Sequence, residues 1–394
     1  MKQLKQISAF ISTVIIMMAC QKQPDLIPET EKAKLDEVSV NKLQEEEPES
    51  FAGGNKHVYI LSNDVTYNTV LAYRRASNGT LTYSTSYLTG GTGTGGGLGN
   101  QGALFVDEGR KVLLTVNPGS NSISSFRITE NGGELDLKST ISSKGTTPVS
   151  ITMENDIVYV LNAGGSGNIS GFRLGNNAKL TAIPNSTRSL SSNAAGAAQI
   201  SFVNNGKVVA ITEKATNKII TYTINEWGLP GMMHSLNSST PTPFGFATGN
   251  NGNIFVSEAA GGAPAASKLS SYHISNNGSI SLLMGSVGAS QSAACWVVIT
   301  NNGKYAYTTN TASNNLTSFD INKNTGAIAV NTAIAATSGM GPIDADLSNN
   351  SKYLYVLNAG SHSISVYKVE NDGSLNNIQT VNGVPAGATG LAAR

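Results

Sequence analysis

Seven times in this chain a run of β-branched and aromatic residues closes on a polar residue at a nearly regular interval, and no other feature limits the fold as sharply. The runs are "HVYILSN" ending at Asn63, "KVLLTVN" at Asn117, "IVYVLN" at Asn162, "KVVAITE" at Glu213, "NIFVSE" at Glu258, "KYAYTTN" at Asn310 and "KYLYVLN" at Asn358. Their spacings are 54, 45, 51, 45, 52 and 48 residues. Self-similarity at such a period is a mark of architecture rather than of a binding site. After each run come a loop, a second strand such as "SISSFRI", "NISGFRL" or "SISVYKV", and an Asn/Gly turn such as "SNGT" or "NDGS". Further turns of this kind, among them "NNGK" ending at Lys207 and at Lys304, precede the runs. Asn-Gly pairs favour tight hairpins because both central residues can take positive φ. Each unit therefore reads as about four antiparallel strands.

Four strands repeated at this period form a propeller blade, and seven units account for residues 55–394. The predicted class is all-β: a seven-bladed β-propeller of four-stranded antiparallel blades. Inner strands such as "TPVSITM", "AAQISFV" and "GPIDADL" precede the runs of later units, yet the first unit starts at "KHVYIL" with none before it. The C-terminal "PAGATGLAAR" supplies the missing strand, so the first blade is expected to be closed by the C-terminus.

Residues 1–19 read as a signal peptide: a short basic start (Lys2, Lys5), an apolar run, and a small residue, Ala19, directly before Cys20. That ending resembles a bacterial lipobox, which implies lipid attachment at Cys20, and Gln21 rather than Asp after it resembles outer-membrane sorting. With Cys20 carrying lipid, Cys295 is left without a partner and no disulfide is expected. Residues 20–54 read as an acidic, solvated tether, in which Gln21 to Ser50 hold nine acidic and four lysine side chains. The body from Phe51 onward then has 20 basic and 16 acidic residues. No segment of it interleaves Lys or Arg with aromatics, so nucleic acid is excluded as a partner. A monomer on the cell envelope is expected, in contact with the membrane through the lipid.

The units "YVLN…NISGF" and "YVLN…SISVY", with their inner-strand prolines and "NNGK" turns, resemble the lactonase-type seven-bladed propellers: 6-phosphogluconolactonase, carboxymuconate cyclase and the YVTN-repeat surface proteins. The likeness covers nearly all of the chain after the tether. It implies the fold, and it implies His, Arg and an acidic residue around a central channel, with His often following the inner-strand Pro. Here Pro148, Pro243, Pro342 and Pro385 are followed by Val149, Phe244, Ile343 and Ala386. The Arg that often follows the strand-end Asn is replaced by Pro118, Ala163 and Ala359. Lactone hydrolysis needs a base for water and a positive group for the oxyanion, so the resemblance carries the fold without the catalysis.

Loops that join strands on the face opposite the Asn-Gly turns vary most between units, notably Leu88 to Gly102 ("LTGGTGTGGGLGNQG") and Glu258 to Lys268, and variable loops on a rigid ring are where recognition usually sits. Glu213 and Glu258 replace Asn in consecutive strand-end positions and would aim two carboxylates at one rim. Asp344 and Asp346 interrupt an apolar inner strand with the same parity; they either accept inner-strand N–H groups or face water in the channel. His362 lies in a loop of the same face. The four His residues have no ligand spacing, so neither a metal nor a cofactor is expected.

Three readings follow: a lipid-anchored binding or scaffold propeller for a carbohydrate-like ligand or an envelope protein, a lactone hydrolase, and a structural surface-layer component. The first is favoured because the channel motifs of the hydrolases are missing. Whether the chain is an enzyme at all is left open by the residues.

Overall fold

The β-branched runs become strands, and the Asn-Gly turns between them become hairpins. A computed structural model of the chain describes residues 56–129 and 133–393. The signal segment, Cys20 and the tether lie outside the described residues. Within them, 29 strands numbered β1 to β29 in chain order form seven sheets arranged as blades. The first blade has the order β29 (Thr389–Ala393), β1 (Lys56–Leu61), β2 (Thr69–Arg75), β3 (Leu81–Leu88). The C-terminal strand is thus its innermost member, pairing Val58 with Ala393 and Leu61 with Thr389. The other inner strands are β4 (Leu104–Asp107), β8 (Thr146–Glu154), β13 (Ala197–Val203), β17 (Pro243–Thr248), β21 (Ala294–Ile299) and β25 (Pro342–Leu347), in blades two to seven.

Six blades have four strands. In the third, the outermost strand is split into β11 (Leu180–Ala182) and β12 (Arg188–Ser189), both paired with β10 (Asn168–Leu174). Pro184 sits in the gap, where it cannot donate a ladder hydrogen bond. The Ser186 hydroxyl bridges the break instead, accepting from Gly171 N–H at 3.0 Å and lying 3.1 Å from Gly171 C=O.

The core lies between blades, where one sheet packs on the next, and each junction carries the same polar staple. Tyr59 Oη donates to Gly133 C=O (2.7 Å), Tyr159 to Gly228 (2.8 Å), Tyr307 to Gly373 (3.0 Å) and Tyr355 to Gly79 (3.0 Å). Ser125 reaches Ala178, Thr221 reaches Gly278 and Ser271 reaches Gly326 in the same way. Each donor belongs to one blade and each acceptor to the hairpin turn of the next. The seven staples run once around the ring, and the Tyr355–Gly79 bond crosses its closure.

Cys295 is fully buried in β21 beside Trp296. Against the expectation from sequence it is disulfide-bonded. That expectation eliminated Cys20 as a partner through its acylation, and Cys20 lies outside the described residues.

Candidate functional site

Seven inner strands surround a channel of about 740 Å³. It opens on the face of the hairpin turns, where the inner strands end: Asp107, Glu108, Glu154, Asn301 and Asn349 line that mouth. Deeper, Gln199, Ser201, Phe246, Val297, Asp344 and Asp346 form the wall, and Gln101 closes the end toward the variable loops. All titratable lining groups among the described residues are carboxylates.

Asp344 and Asp346 both line this channel, and both also accept backbone N–H groups. The Asp344 carboxylate accepts from Ala345 (2.9 Å), and that of Asp346 from Leu347 (2.8 Å) and from Ala393 of the closing strand (2.9 Å). Removal from water holds Asp344 well above the usual carboxylate range and pushes Asp346 up to about 6, with backbone hydrogen bonds working against the shift in each case. The channel wall thus carries two neighbouring carboxyls that burial makes harder to ionise than free ones.

Glu213 and Glu258 are elsewhere. Both are 0% exposed and neither lines the channel, which corrects the expectation of an open acidic rim. At Glu258, Oε1 accepts from Ser239 N–H (3.0 Å) and Tyr272 Oη (2.6 Å), while Oε2 accepts from Thr240 N–H (3.0 Å) and Ser270 Oγ (2.7 Å). Burial raises the Glu258 carboxyl above its ordinary value. The Glu213 carboxylate accepts from Ser191 N–H (2.8 Å), Ser191 Oγ and Thr216 Oγ1 (2.5 Å). Ser191, Ser239 and Thr240 belong to the connectors that lead into the blades of these two Glu residues. In blades two, three and seven the equivalent Asn side chains (Asn117, Asn162, Asn358) instead pack against a connector glycine, Gly91, Gly145 or Gly339, where a Cβ would fall within 2.4–2.9 Å of the Asn Cγ. In these five blades the strand-end residue thus anchors the incoming connector, by packing at the three Asn residues, with an added bond from Asn162 Nδ2 to Ser143 C=O (3.2 Å), and by carboxylate hydrogen bonds at the two Glu residues.

His362 sits at positive φ (51°) in its loop, partly exposed and away from the channel, and its carbonyl accepts from Val384 N–H (3.0 Å). Where the resemblance implies a catalytic His, Val149, Phe244 and Ile343 are buried in the apolar clusters between blades. Each lies at a break in register near the start of its inner strand, between Pro148 and Ser150, Pro243 and Phe246, or Pro342 and Asp344. Such bulges re-aim a side chain, and here they turn apolar groups into the core. No group of three or more His, Cys, Asp or Glu able to hold a metal occurs among the described residues.

Sequence reading missed Gln101, Gln199 and the mouth carboxylates. Asp107, Glu108 and Glu154 were legible in principle, because each ends or follows an inner strand immediately before a hairpin turn. For the two glutamines no sequence signal exists: each imitates a strand by bonding a backbone N–H and C=O. Gln199 does so with Phe246 (2.6 and 2.9 Å), and Gln101 with Val297 (3.2 and 3.0 Å).

A family model described as lactonase, seven-bladed β-propeller matches residues 49–189 and 275–393. No curated protein matches the sequence. Among solved structures, a protein of Bacteroides fragilis provisionally assigned as a 6-phosphogluconolactonase superposes with a TM-score of 0.70 at 14% identity, covering 88% of this chain and 100% of its own. The periplasmic gluconolactonase of Pseudomonas aeruginosa gives 0.70 at 12% identity, with 86% and 98% covered. A second provisional 6-phosphogluconolactonase, from Bacteroides uniformis, gives 0.67 at 17%, with 85% and 99% covered. At such identities the likeness is one of fold.

Proposed function

Because the chain belongs to the family of lactonase seven-bladed β-propellers, we propose that it keeps the family's ring and uses the channel to bind a neutral or cationic polar ligand, as a lipid-anchored module of the cell envelope. The observation that carries this is the channel wall: five carboxylates, with no Lys, Arg or His among the described lining residues. An anionic phosphorylated lactone would meet like charge there and find no Arg or Lys to pair with its phosphate. The family's His positions are filled by Val149, Phe244 and Ile343, which removes the residues that would activate water.

One observation favours a second reading. Asp346, raised to about 6, stands beside Asp344, which burial holds well above the usual carboxylate range, and two carboxyls shifted upward in this way are what a general base and acid near neutral pH require. Hydrolysis of an uncharged lactone is therefore the alternative. Purified protein should hydrolyse 6-phosphogluconolactone and glucono-δ-lactone no faster than buffer, while glucosamine oligomers or neutral oligosaccharides raise its melting temperature and 6-phosphogluconate does not. Turnover of glucono-δ-lactone that is lost in Asp346→Asn would replace the binding reading with the hydrolase.

The envelope anchor rests on Ala19–Cys20. Acylation of the Cys20 sulfur and a disulfide between Cys20 and Cys295, the chain's two cysteines, exclude each other. Mass spectrometry of the mature protein separates them: an acylated chain carries the mass of the lipid on Cys20, and a chain with that disulfide does not. Cys20→Ser should move the protein from the membrane to the soluble fraction.

A further inference from the structure

The segment Asn100 to Gly102 touches inner strands on opposite sides of the ring. The Asn100 side chain donates to Val149 C=O in the third blade and lies 3.5 Å from Thr389 Oγ1 in the first. Gln101 N–H donates to Ala198 C=O of the fourth blade (3.1 Å), and its side chain exchanges two hydrogen bonds with Val297 of the sixth. In the fifth blade Gly245 faces it so closely that an added Cβ would lie 2.0 Å from Gln101 Oε1. Gly102 C=O accepts from Ile151 N–H of the third blade (2.8 Å), and the chain then enters β4 of the second.

Three consecutive residues span at most about 10 Å. They can reach five other blades only by lying across the axis. The Gly-rich loop before them is held in the same place: Asn63 Nδ2 donates to Gly96 C=O (2.7 Å), and Lys214 Nζ donates to Gly99 C=O while sitting 4.6 Å over the Phe244 ring.

We infer that the Leu88–Gly102 loop is a plug, with Gln101 as its seal, and that the central channel is a well entered only from the hairpin-turn face. A side chain that reproduces a strand's N–H and C=O pairing is a good seal, because it satisfies the free backbone groups of β21 that water would otherwise fill. Chain entry at Lys56 is on that same face, since β1 starts there and runs toward the loops. A ligand of the well therefore approaches from the face on which β1 starts. The consequence for a ligand rests on the channel-binding reading above, but the plug does not, and its test uses none.

The chain has two tryptophans, Trp227 at 64% exposure and Trp296 at 2%, the latter packed at a tilt against the Phe244 ring, centroids 5.0 Å apart, next to Val297 in sequence. In a Trp227→Phe background, Gln101→Gly should raise acrylamide quenching of Trp296 at least threefold, while Gln101→Glu, which keeps one acceptor for Val297 N–H, gives a smaller rise. Hydrogen exchange on the unmodified protein is an independent readout that needs no variant. The amides of Gln101, Ile151 and Val297 should exchange at least 100-fold more slowly than those of the turns at the mouth. Unchanged quenching in Gln101→Gly with an unchanged melting temperature would overturn the plug, as would rapid exchange at Val297.

Discussion

Glu258→Ala separates an anchoring role from a binding role for the strand-end carboxylates. The substitution leaves Thr240 N–H, Ser270 Oγ and Tyr272 Oη without their acceptor at a fully buried position, while Ser239 N–H keeps its 2.7 Å bond to Tyr272 Oη. A stranded buried donor costs about 1–3 kcal/mol. The two hydroxyls can rotate toward other acceptors, so the one stranded connector amide, Thr240 N–H, dominates, at about 2 kcal/mol. Removing a desolvated carboxyl returns part of this, and the cavity left by the side chain takes a similar part away. With an unfolding entropy of about 2.1 cal/mol/K per residue over roughly 340 residues, about 2 kcal/mol lowers Tm by about 3 °C. Scanning calorimetry at pH 7 reads this directly. Glu258→Gln, which keeps one acceptor oxygen, should lose about half as much. Because burial raises the folded-state pKa of Glu258, the native state binds its proton more tightly than the unfolded chain does. The stability from this group is present at low pH and declines as pH rises above the unfolded value. The penalty of Glu258→Gln should accordingly be larger at pH 4 than at pH 7. A Tm within about 1 °C of the parent for Glu258→Ala would refute the anchoring argument and return this carboxylate to the candidates for ligand binding.

Deleting residues 386–394 removes β29 and its pairing with β1, exposing the edges of both neighbours; the variant should aggregate or melt at least 10 °C lower, which size-exclusion chromatography and calorimetry would record. Tyr355→Phe removes one staple at the closing seam and should cost about 1 kcal/mol, whereas Gly79→Ala, at φ 90° with a Cβ 2.2 Å from the Tyr353 ring, should cost at least twice that in chemical denaturation. Asp346 is raised to about 6 in the folded ring, so its contribution is present below the unfolded value and lost as pH rises through about 6; the stability of Asp346→Asn relative to the parent should therefore climb between pH 4 and 6 and level off above it, and a flat difference would deny the channel carboxyl its shift.

The ring was legible because what builds it is local. β-branched runs, Asn-Gly hairpins and a fixed period each act within a few residues, and the closing strand could be found because one unit lacked its inner strand. Even the broken outer strand of the third blade has its cause in plain view at Pro184. The site was less legible because parity says which side of a strand a residue faces and not what comes to cover that side. Glu213 and Glu258 read as rim carboxylates on parity alone. What buries them is the connector from the preceding blade, and its Ser191, Ser239 and Thr240 look like any polar loop until their amides are seen to point at carboxylates. Asp344 and Asp346 could be placed on the channel because an inner strand has a channel side wherever the ring closes.

The plug marks where sequence reading stops, and for a physical reason. Most of its contacts are made by backbone groups and by amide side chains (Asn63, Asn100 and Gln101, the last standing in for a peptide group), so no pattern of hydrophobicity or charge records them. The Gly-rich run reads as flexible because glycine forms many conformations. Here that freedom lets the loop pass where a Cβ could not: at Gly93 an added Cβ would lie 2.1 Å from the Asn63 carbonyl carbon, and at Gly91 2.5 Å from Asn117 Cγ. The same glycines that suggest mobility are those that permit close packing, and only the neighbours decide between the two. Gly93→Ala tests that directly: a mobile loop would absorb a methyl group, and a packed plug should lose protection at the Val297 amide together with thermal stability.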